Sequence, residues 1–165
     1  MSKLPPANEL FQKLAEAMRP GITPDTVLVG IHTGGVWIAE RLHQMFGIKA
    51  PLGSVDVSYH RDDHHLGGGK HGGRASQLPL DVEGAHVVIV DDVLATGRTI
   101  RAAINELFDY GRPAKVDLAA LIDRGGRELP IAATWSGGEA TLPASQTLEL
   151  TRNGNGEFAF RVIEK

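Results

Sequence analysis

Residues 86–103 read HVVIVDDVLATGRTIRAA. Val87 to Val90 form an unbroken apolar run, strand-sized and β-branched, which predicts a strand buried on both faces. Two acids, Asp91 and Asp92, follow at once, and Thr96-Gly-Arg-Thr99 comes three residues later. Ile100, Ala103, Ile104, Leu107 and Phe108 then recur at i, i+3, i+4, i+7 and i+8, the spacing of an amphipathic helix. Gly111-Arg-Pro113 ends it.

The same alternation extends outward. Leu10, Phe11, Leu14, Ala15, Ala17 and Met18 predict a helix over 8–19 that stops before Pro20-Gly21. Val27–Ile31 is a buried strand, His32-Thr-Gly-Gly35 a turn, and Val36–Phe46 a helix closed by Gly47. Leu52–Tyr59 alternates in part and reads as a strand, and Val116–Ile122 is another fully apolar one. Later strand candidates are Ile131–Trp135, Thr147–Leu150 and Phe158–Ile163. Residues 60–77 are rich in Gly, His and charge with no apolar period, and a loop that long is functional or disordered. No repeat or linker interrupts the chain, so residues 1–165 are expected to form one α/β domain, a mostly parallel twisted sheet flanked by helices.

Composition narrows the function classes. The 165 residues suffice for a proper core, and 42% hydrophobic with 22% charged is ordinary for a globular protein. A net charge of -3 gives no electrostatic argument for nucleic acid. There is no cysteine, which removes disulfides and thiolate chemistry. No signal-peptide core or membrane-length apolar run is visible, so a cytoplasmic protein without membrane association is expected.

The juxtaposition of acids and Thr-Gly-Arg-Thr has a chemical reading. In a parallel sheet, ligands sit beyond the carboxyl ends of the strands. A helix N-terminus presents unpaired N–H groups and the positive end of a dipole, and Gly97 lets the backbone curl around an anion. Thr96 and Thr99 add hydroxyl donors. A phosphate fits over this turn, whereas Asp91 and Asp92 suit sugar hydroxyls. One loop would then hold both ends of a ribose 5-phosphate. Each part alone would be an ordinary βα turn with two solvated acids; the combination favours the phosphate-sugar reading.

This pattern resembles the phosphoribosyl pyrophosphate (PRPP) motif of the type I phosphoribosyltransferases, and more closely the PyrR family of bifunctional pyrimidine operon regulators and uracil phosphoribosyltransferases. Four further stretches carry the resemblance: residues 29–42 (VGIHTGGVWIAERL), 59–63 (YHRDD), 107–113 (LFDYGRP) and 123–131 (DRGGRELPI). The last narrows it to PyrR. The resemblance implies the type I fold with a small hood and a flexible loop at 60–77. It implies that PRPP and uracil give UMP and pyrophosphate with Mg²⁺.

It further implies roles by residue. Asp91 and Asp92 would bind the ribose, and Ala95, Thr96, Gly97, Arg98 and Thr99 the 5′-phosphate. His32, Thr33, Gly34 and Gly35, in a loop expected to hold a cis non-proline peptide, would meet pyrophosphate together with Arg61. Asp62 and Asp91 are the metal candidates, and Asp123, Arg124, Trp135 and Ser136 the base-binding ones; Trp135 reads equally well as core. No residue is expected to act as a nucleophile. Ala95 stands where 6-oxopurine enzymes of this motif carry an aspartate, which argues for a pyrimidine.

Two departures stand out. Family members often have Lys-Thr-Arg-Gly where this chain has His32-Thr-Gly-Gly35, so an arginine is missing from the pyrophosphate loop. The basic face that some relatives use on a leader RNA is thin: Gly126 replaces a histidine, and Arg127 with Arg41, Arg101, Arg112 and Arg152 would have to supply it. Leader RNA is therefore the minority partner, and a phosphoribosyltransferase for another base is a further alternative. His60, His64, His65 and His71 read as a solvated loop before a transition-metal site, and Gly67–Lys70 lacks the rest of a P-loop. The resemblance also implies a homodimer or larger homo-oligomer, with Ile38–Phe46 as one candidate contact.

Overall fold

The computed structural model describes residues 4–58, 77–78 and 81–165. Its elements are α1 (Ala7–Met18), β1 (Val27–Ile31), α2 (Gly34–Phe46), β2 (Gly53–Val55), β3 (His86–Leu94), α3 (Arg98–Phe108), β4 (Lys115–Asp123), β5 (Trp135–Ser136), β6 (Gln146–Arg152) and β7 (Phe158–Glu164). The first five strands form a parallel sheet in the order β2-β1-β3-β4-β5. β6 and β7 make a separate antiparallel hairpin. Among the described residues, no helix is long and apolar enough to cross a membrane.

The apolar strands alternate between two cores, one on each face of the sheet. Val27, Val29, Val87, Ile89, Leu118 and Ala120 face α3, packing on Ile100, Ala103 and Leu107. Leu28, Val88, Val90, Ala119 and Leu121 face the other way, onto Phe11, Leu14 and Met18 of α1 and Ile38 and Leu42 of α2. Covered on both sides, these strands need no polar face, hence the unbroken run of Val87–Val90. The hairpin joins the α1 side through Leu148, Leu150 and Phe158, with the Phe158 ring edge-on to Phe11.

Several boundaries differ from the sequence expectations. α2 begins at Gly34, so both glycines belong to its first turn and the connection is only His32-Thr33. β3 continues through the two acids to Leu94, because β4 offers it partners up to Asp123. β2 is only three residues, paired to β1 and bridged by Ser54 to Gln77; Tyr59 lies outside the described residues. Of Ile131–Trp135 only Trp135 is in a strand, since Ile131 packs against the Gly97 turn instead. Within Ile38–Phe46, Ile38, Ala39 and Leu42 are core, which leaves Met45 as the exposed apolar residue of that face.

At the opposite end of the sheet from the acids, Asp117 is buried beneath the edge of β4. It accepts from His86 Nε2 at 2.6 Å and from Thr134 Oγ1 at 3.1 Å, with Lys115 Nζ at 3.4 Å. Burial pushes its carboxyl upward, but the His86 and Thr134 bonds and the Lys115 charge outweigh that and hold it below the usual carboxylate range. A depressed folded-state value means stability that is present above about pH 4 and lost as pH falls through the folded value. Asp117→Asn is expected to cost about 2 kcal/mol at neutral pH and to flatten the acid limb of a urea-denaturation series.

Candidate active site

The winding of the sheet reverses between β1 and β3: α2 carries the chain from β1 outward to β2, and α3 carries it from β3 the other way to β4. α2 and α3 lie on opposite faces, so a crevice opens between the loops that leave β1 and β3. On the β3 side of it lies a cavity of about 460 Å³, between the loops that follow β3 and β4 and the segment leading into the hairpin. One wall is Asp91, Asp92, Ala95, Thr96 and Thr99. The second is Arg124, Gly125 and Gly126, just past β4, and the third is Thr141, Leu142 and Ala144 with Thr147, Leu148 and Lys165.

Asp91 is buried and Asp92 half-buried, each in the last turns of β3. Asp91 Oδ1 accepts from the Asp92 amide and Asp92 Oδ1 from the Val93 amide, both at 2.9 Å. These local bonds fix the two carboxylates at the mouth of the strand, where both residues line the cavity.

Beyond them, Gly97 caps α3 with φ of 94°, a left-handed backbone suited to glycine, and a Cβ there would lie 3.0 Å from Ile131. The Ala95 and Thr96 carbonyls point toward residues 127–129, which do not line the cavity, and the Leu94 carbonyl continues the ladder to β4. Leu94 O accepts from the Arg124 amide (2.9 Å), Ala95 O from Arg127 Nη1 (2.8 Å) and Thr96 O from the Glu128 amide (2.9 Å). In a planar trans peptide the N–H lies opposite the C=O, which directs the amides of residues 96 and 97 away from 127–129 and toward the cavity side. That is the geometry an anion at a helix N-terminus requires. The Arg98 side chain does not join them: its Nε donates to Glu128 Oε1 at 3.1 Å, outside the cavity.

Across the crevice, the peptide bond between His32 and Thr33 is cis, as the resemblance implies. Neither residue lines the main cavity; His32 borders a second hollow of about 350 Å³ with Glu40, Ser54 and Gln77. Gly34 joins the two loops: a Cβ there would collide with the Asp92 carboxylate. Any side chain at 34, an arginine included, must displace Asp92. Gly34→Ala is accordingly expected to weaken binding of a ligand held by Asp92 about tenfold, the loss of one charge-assisted contact, with Tm little changed.

The residues expected at the base separate into two groups. Arg124 lines the cavity and ties it to the hairpin, donating from Nη1 to Gln146 O at 2.9 Å. The Asp123 carboxylate is turned aside onto Arg127, which together with the Gly125 amide holds its pKa below the usual range despite burial. Trp135 and Ser136 are not among the cavity walls. Their partners are Ala119 and Ala120, well short of the end of β4 at Asp123, so they sit below the crevice; Trp135 packs on Gly21 and Ser136 Oγ donates to Gly138 O. The chain reaches cavity level only later, where Asp123 O accepts from the Ala140 amide. Thr141, Leu142, Thr147 and Lys165 carried no sequence signal, because only the folded hairpin brings them over the site.

Arg61, Asp62 and the histidines at 60, 64, 65 and 71 lie outside the described residues. Among the described residues no group of three or more His, Cys, Asp or Glu converges as a metal cage.

A crevice at a topological switch point, with a carboxylate pair at the end of one strand and a glycine turn into the next helix, is the arrangement the resemblance to the phosphoribosyltransferases implies. The sequence profile described as phosphoribosyl transferase domain matches residues 6–143. The chain is 45% identical over 160 residues to the bifunctional protein PyrR of Nitrosococcus oceani, covering 96% of this chain and 88% of that one. It is 47% identical over 153 residues to the bifunctional protein PyrR of Pseudomonas putida, covering 90% and 88%. The chain belongs to the PyrR family of phosphoribosyltransferases and is a pentosyltransferase. Among solved structures it resembles a hypoxanthine-guanine-xanthine phosphoribosyltransferase (TM-score 0.62, 17% identity, 86% of this chain and 80% of that one). It also resembles a purine phosphoribosyltransferase from Pyrococcus horikoshii (TM-score 0.60, 26% identity, 81% and 82%).

Proposed function

We propose that the protein transfers the 5-phosphoribosyl group of PRPP to uracil, giving UMP and pyrophosphate. The observation that carries this reading is that Asp91, Asp92, Thr96 and Thr99 share one cavity wall, with the Ala95 and Thr96 carbonyls held on the far side of the turn by residues 127–129. The carboxylates accept from the ribose 2′ and 3′ hydroxyls and the turn takes the 5′-phosphate. Bound so, the sugar would present C1′ to the side of the cavity walled by residues 124–126 and the hairpin. As the bond to pyrophosphate lengthens, C1′ gains oxocarbenium character, and rate comes from positioning and from donors at the leaving group. No protein nucleophile is required.

Mg²⁺ fits this site. Asp91 and Asp92 supply hard carboxylate oxygens beside the space for substrate phosphates, and Mg²⁺ is commonly held by one or two carboxylates plus substrate oxygens. When bound, it neutralises charge on the departing pyrophosphate. Asp62 is a second candidate ligand. The base would lie against Leu142 and Leu148, its polar edge toward Arg124 and the backbone of 124–126.

RNA-dependent regulation is the second reading, supported by the relatives' description as bifunctional. Against it, much of the proposed basic face is engaged within the fold. The Arg41 guanidinium stacks 3.8 Å from the Phe158 centroid, Arg152 lies over Trp37 and pairs with Glu40, and Arg127 pairs with Asp123. A steady-state assay with PRPP and Mg²⁺, offering uracil, hypoxanthine, guanine and orotate in turn, tests the enzyme reading. UMP from uracil alone supports it, and no turnover with any base, alongside tight UMP binding, refutes it in favour of a nucleotide sensor.

A further inference from the structure

We propose that Asp123 and Arg127 are positioning residues that hold the 5′-phosphate turn in its binding shape, and that Asp123 does not read the base. The proposal rests on the phosphoribosyl-transfer reading of the cavity.

Three observations converge. First, Arg127 satisfies three separate groups at once. Nη1 and Nη2 meet Asp123 Oδ1 and Oδ2 at 2.9 and 2.5 Å, Nη1 also reaches Ala95 O at 2.8 Å, and Nε reaches Ile131 O at 2.6 Å. A planar guanidinium held by a carboxylate on one side has its remaining donors fixed in direction, and here one of them is aimed at the backbone of the phosphate turn. Second, residues 95–97 lie between the end of β3 and the start of α3, so neither strand nor helix bonds secure the Ala95 and Thr96 carbonyls. The strap 124–131 secures them instead, through Arg127 at Ala95 and the Glu128 and Leu129 amides at Thr96. Third, Arg124, Gly125 and Gly126 line the cavity, whereas Asp123 and Arg127 do not: the pair sits behind the turn.

The causal chain is short. Asp123 orients Arg127, Arg127 pulls the Ala95 carbonyl outward, and the Thr96 amide is thereby turned inward to the phosphate. A loose Ala95 peptide would point its carbonyl oxygen at the phosphate as readily as its neighbour's N–H, which is repulsive.

The test compares two ligands that share the phosphate but differ in the base. Full-length wild type, Asp123→Asn, Arg127→Gln and the charge-retaining Arg127→Lys would be titrated with ribose 5-phosphate and with UMP, alongside thermal melts. The positioning role predicts that Asp123→Asn and Arg127→Gln weaken both ligands by the same factor, about tenfold, with Arg127→Lys in between. A folded Asp123→Asn that loses affinity for UMP but not for ribose 5-phosphate would instead make Asp123 a base ligand and overturn the proposal. Unchanged affinity for both ligands in folded variants would reduce the pair to a stabilising role and overturn it too. Should the glutamine variant fail to fold, Asp123→Asn and Arg127→Lys decide by the same ratio. A wild-type protein that binds neither ligand removes the transfer reading itself, and the proposal with it.

Discussion

Replacing Asp91 and Asp92 together by asparagine is expected to lower kcat/KM for PRPP by about a thousandfold while the fold survives. Each carboxylate offers a charge-assisted acceptor to a sugar hydroxyl, and such a contact is worth roughly 1.5–3 kcal/mol, so two account for about three orders of magnitude. Asparagine keeps the shape and one carbonyl oxygen. That oxygen can replace Oδ1 of each residue, which accepts from the amide of the next residue at 2.9 Å. The other oxygen of each side chain, by contrast, becomes an amide donor and the charge that a sugar hydroxyl or metal ion would meet is lost. Steady-state rates, with a melt as control, give the answer: a loss under tenfold in a folded variant would mean that the pair serves only to close the strand end and that the ribose is held elsewhere.

Gly35→Ala is expected to have the largest effect on stability, about 3 kcal/mol or roughly 10 °C in Tm. A Cβ on Gly35 would meet the backbone of β3, colliding with Val90 O and lying 3.2 Å from Asp91 Cα. Neither is the end of a flexible side chain that could swing away. The first turn of α2 would have to lift off the sheet, widening the crevice on the side opposite the phosphate turn. The neighbouring Gly34 meets only the Asp92 side chain, so its substitution disturbs binding rather than folding. Denaturant midpoints and PRPP kinetics of the two alanine variants should therefore separate: stability lost mainly in one, KM raised mainly in the other. Equal losses of stability would show that α2 does not approach β3 more closely at Gly35 than at Gly34.

Much of this site was legible in residues 86–103, because its parts are contiguous. A two-faced buried strand must be wholly apolar, an amphipathic helix must show its period, and a turn that binds an anion between them needs Gly97 and hydroxyl neighbours. Asp91, Asp92, Thr96 and Thr99 stand where that pattern puts them. The order of alternation likewise announced the parallel sheet. The base side was not legible in the same way. Whether Trp135 or Thr141 reaches the level of the cavity depends on the register of β5 on β4, which is set by packing beneath the sheet, with Gly137 pressed against Leu10 and Leu121, and not by any local period.

Arg127 looked like a free cation in sequence, and Asp123 like a ligand; each is the other's partner, joined by a chain reversal with left-handed backbone at Gly125 and Gly126. Thr147, Leu148 and Lys165 come from a hairpin whose antiparallel pairing has no covalent or periodic link to the motif it covers. The sequence by itself determined the mostly parallel α/β sheet and set Asp91 and Asp92 just before the Thr96-Gly97 turn, since local pattern dictates each. Only the tertiary structure decided the strand order, which segments wall the cavity across from those acids and what braces the turn, since those contacts join segments that meet only after the core has closed.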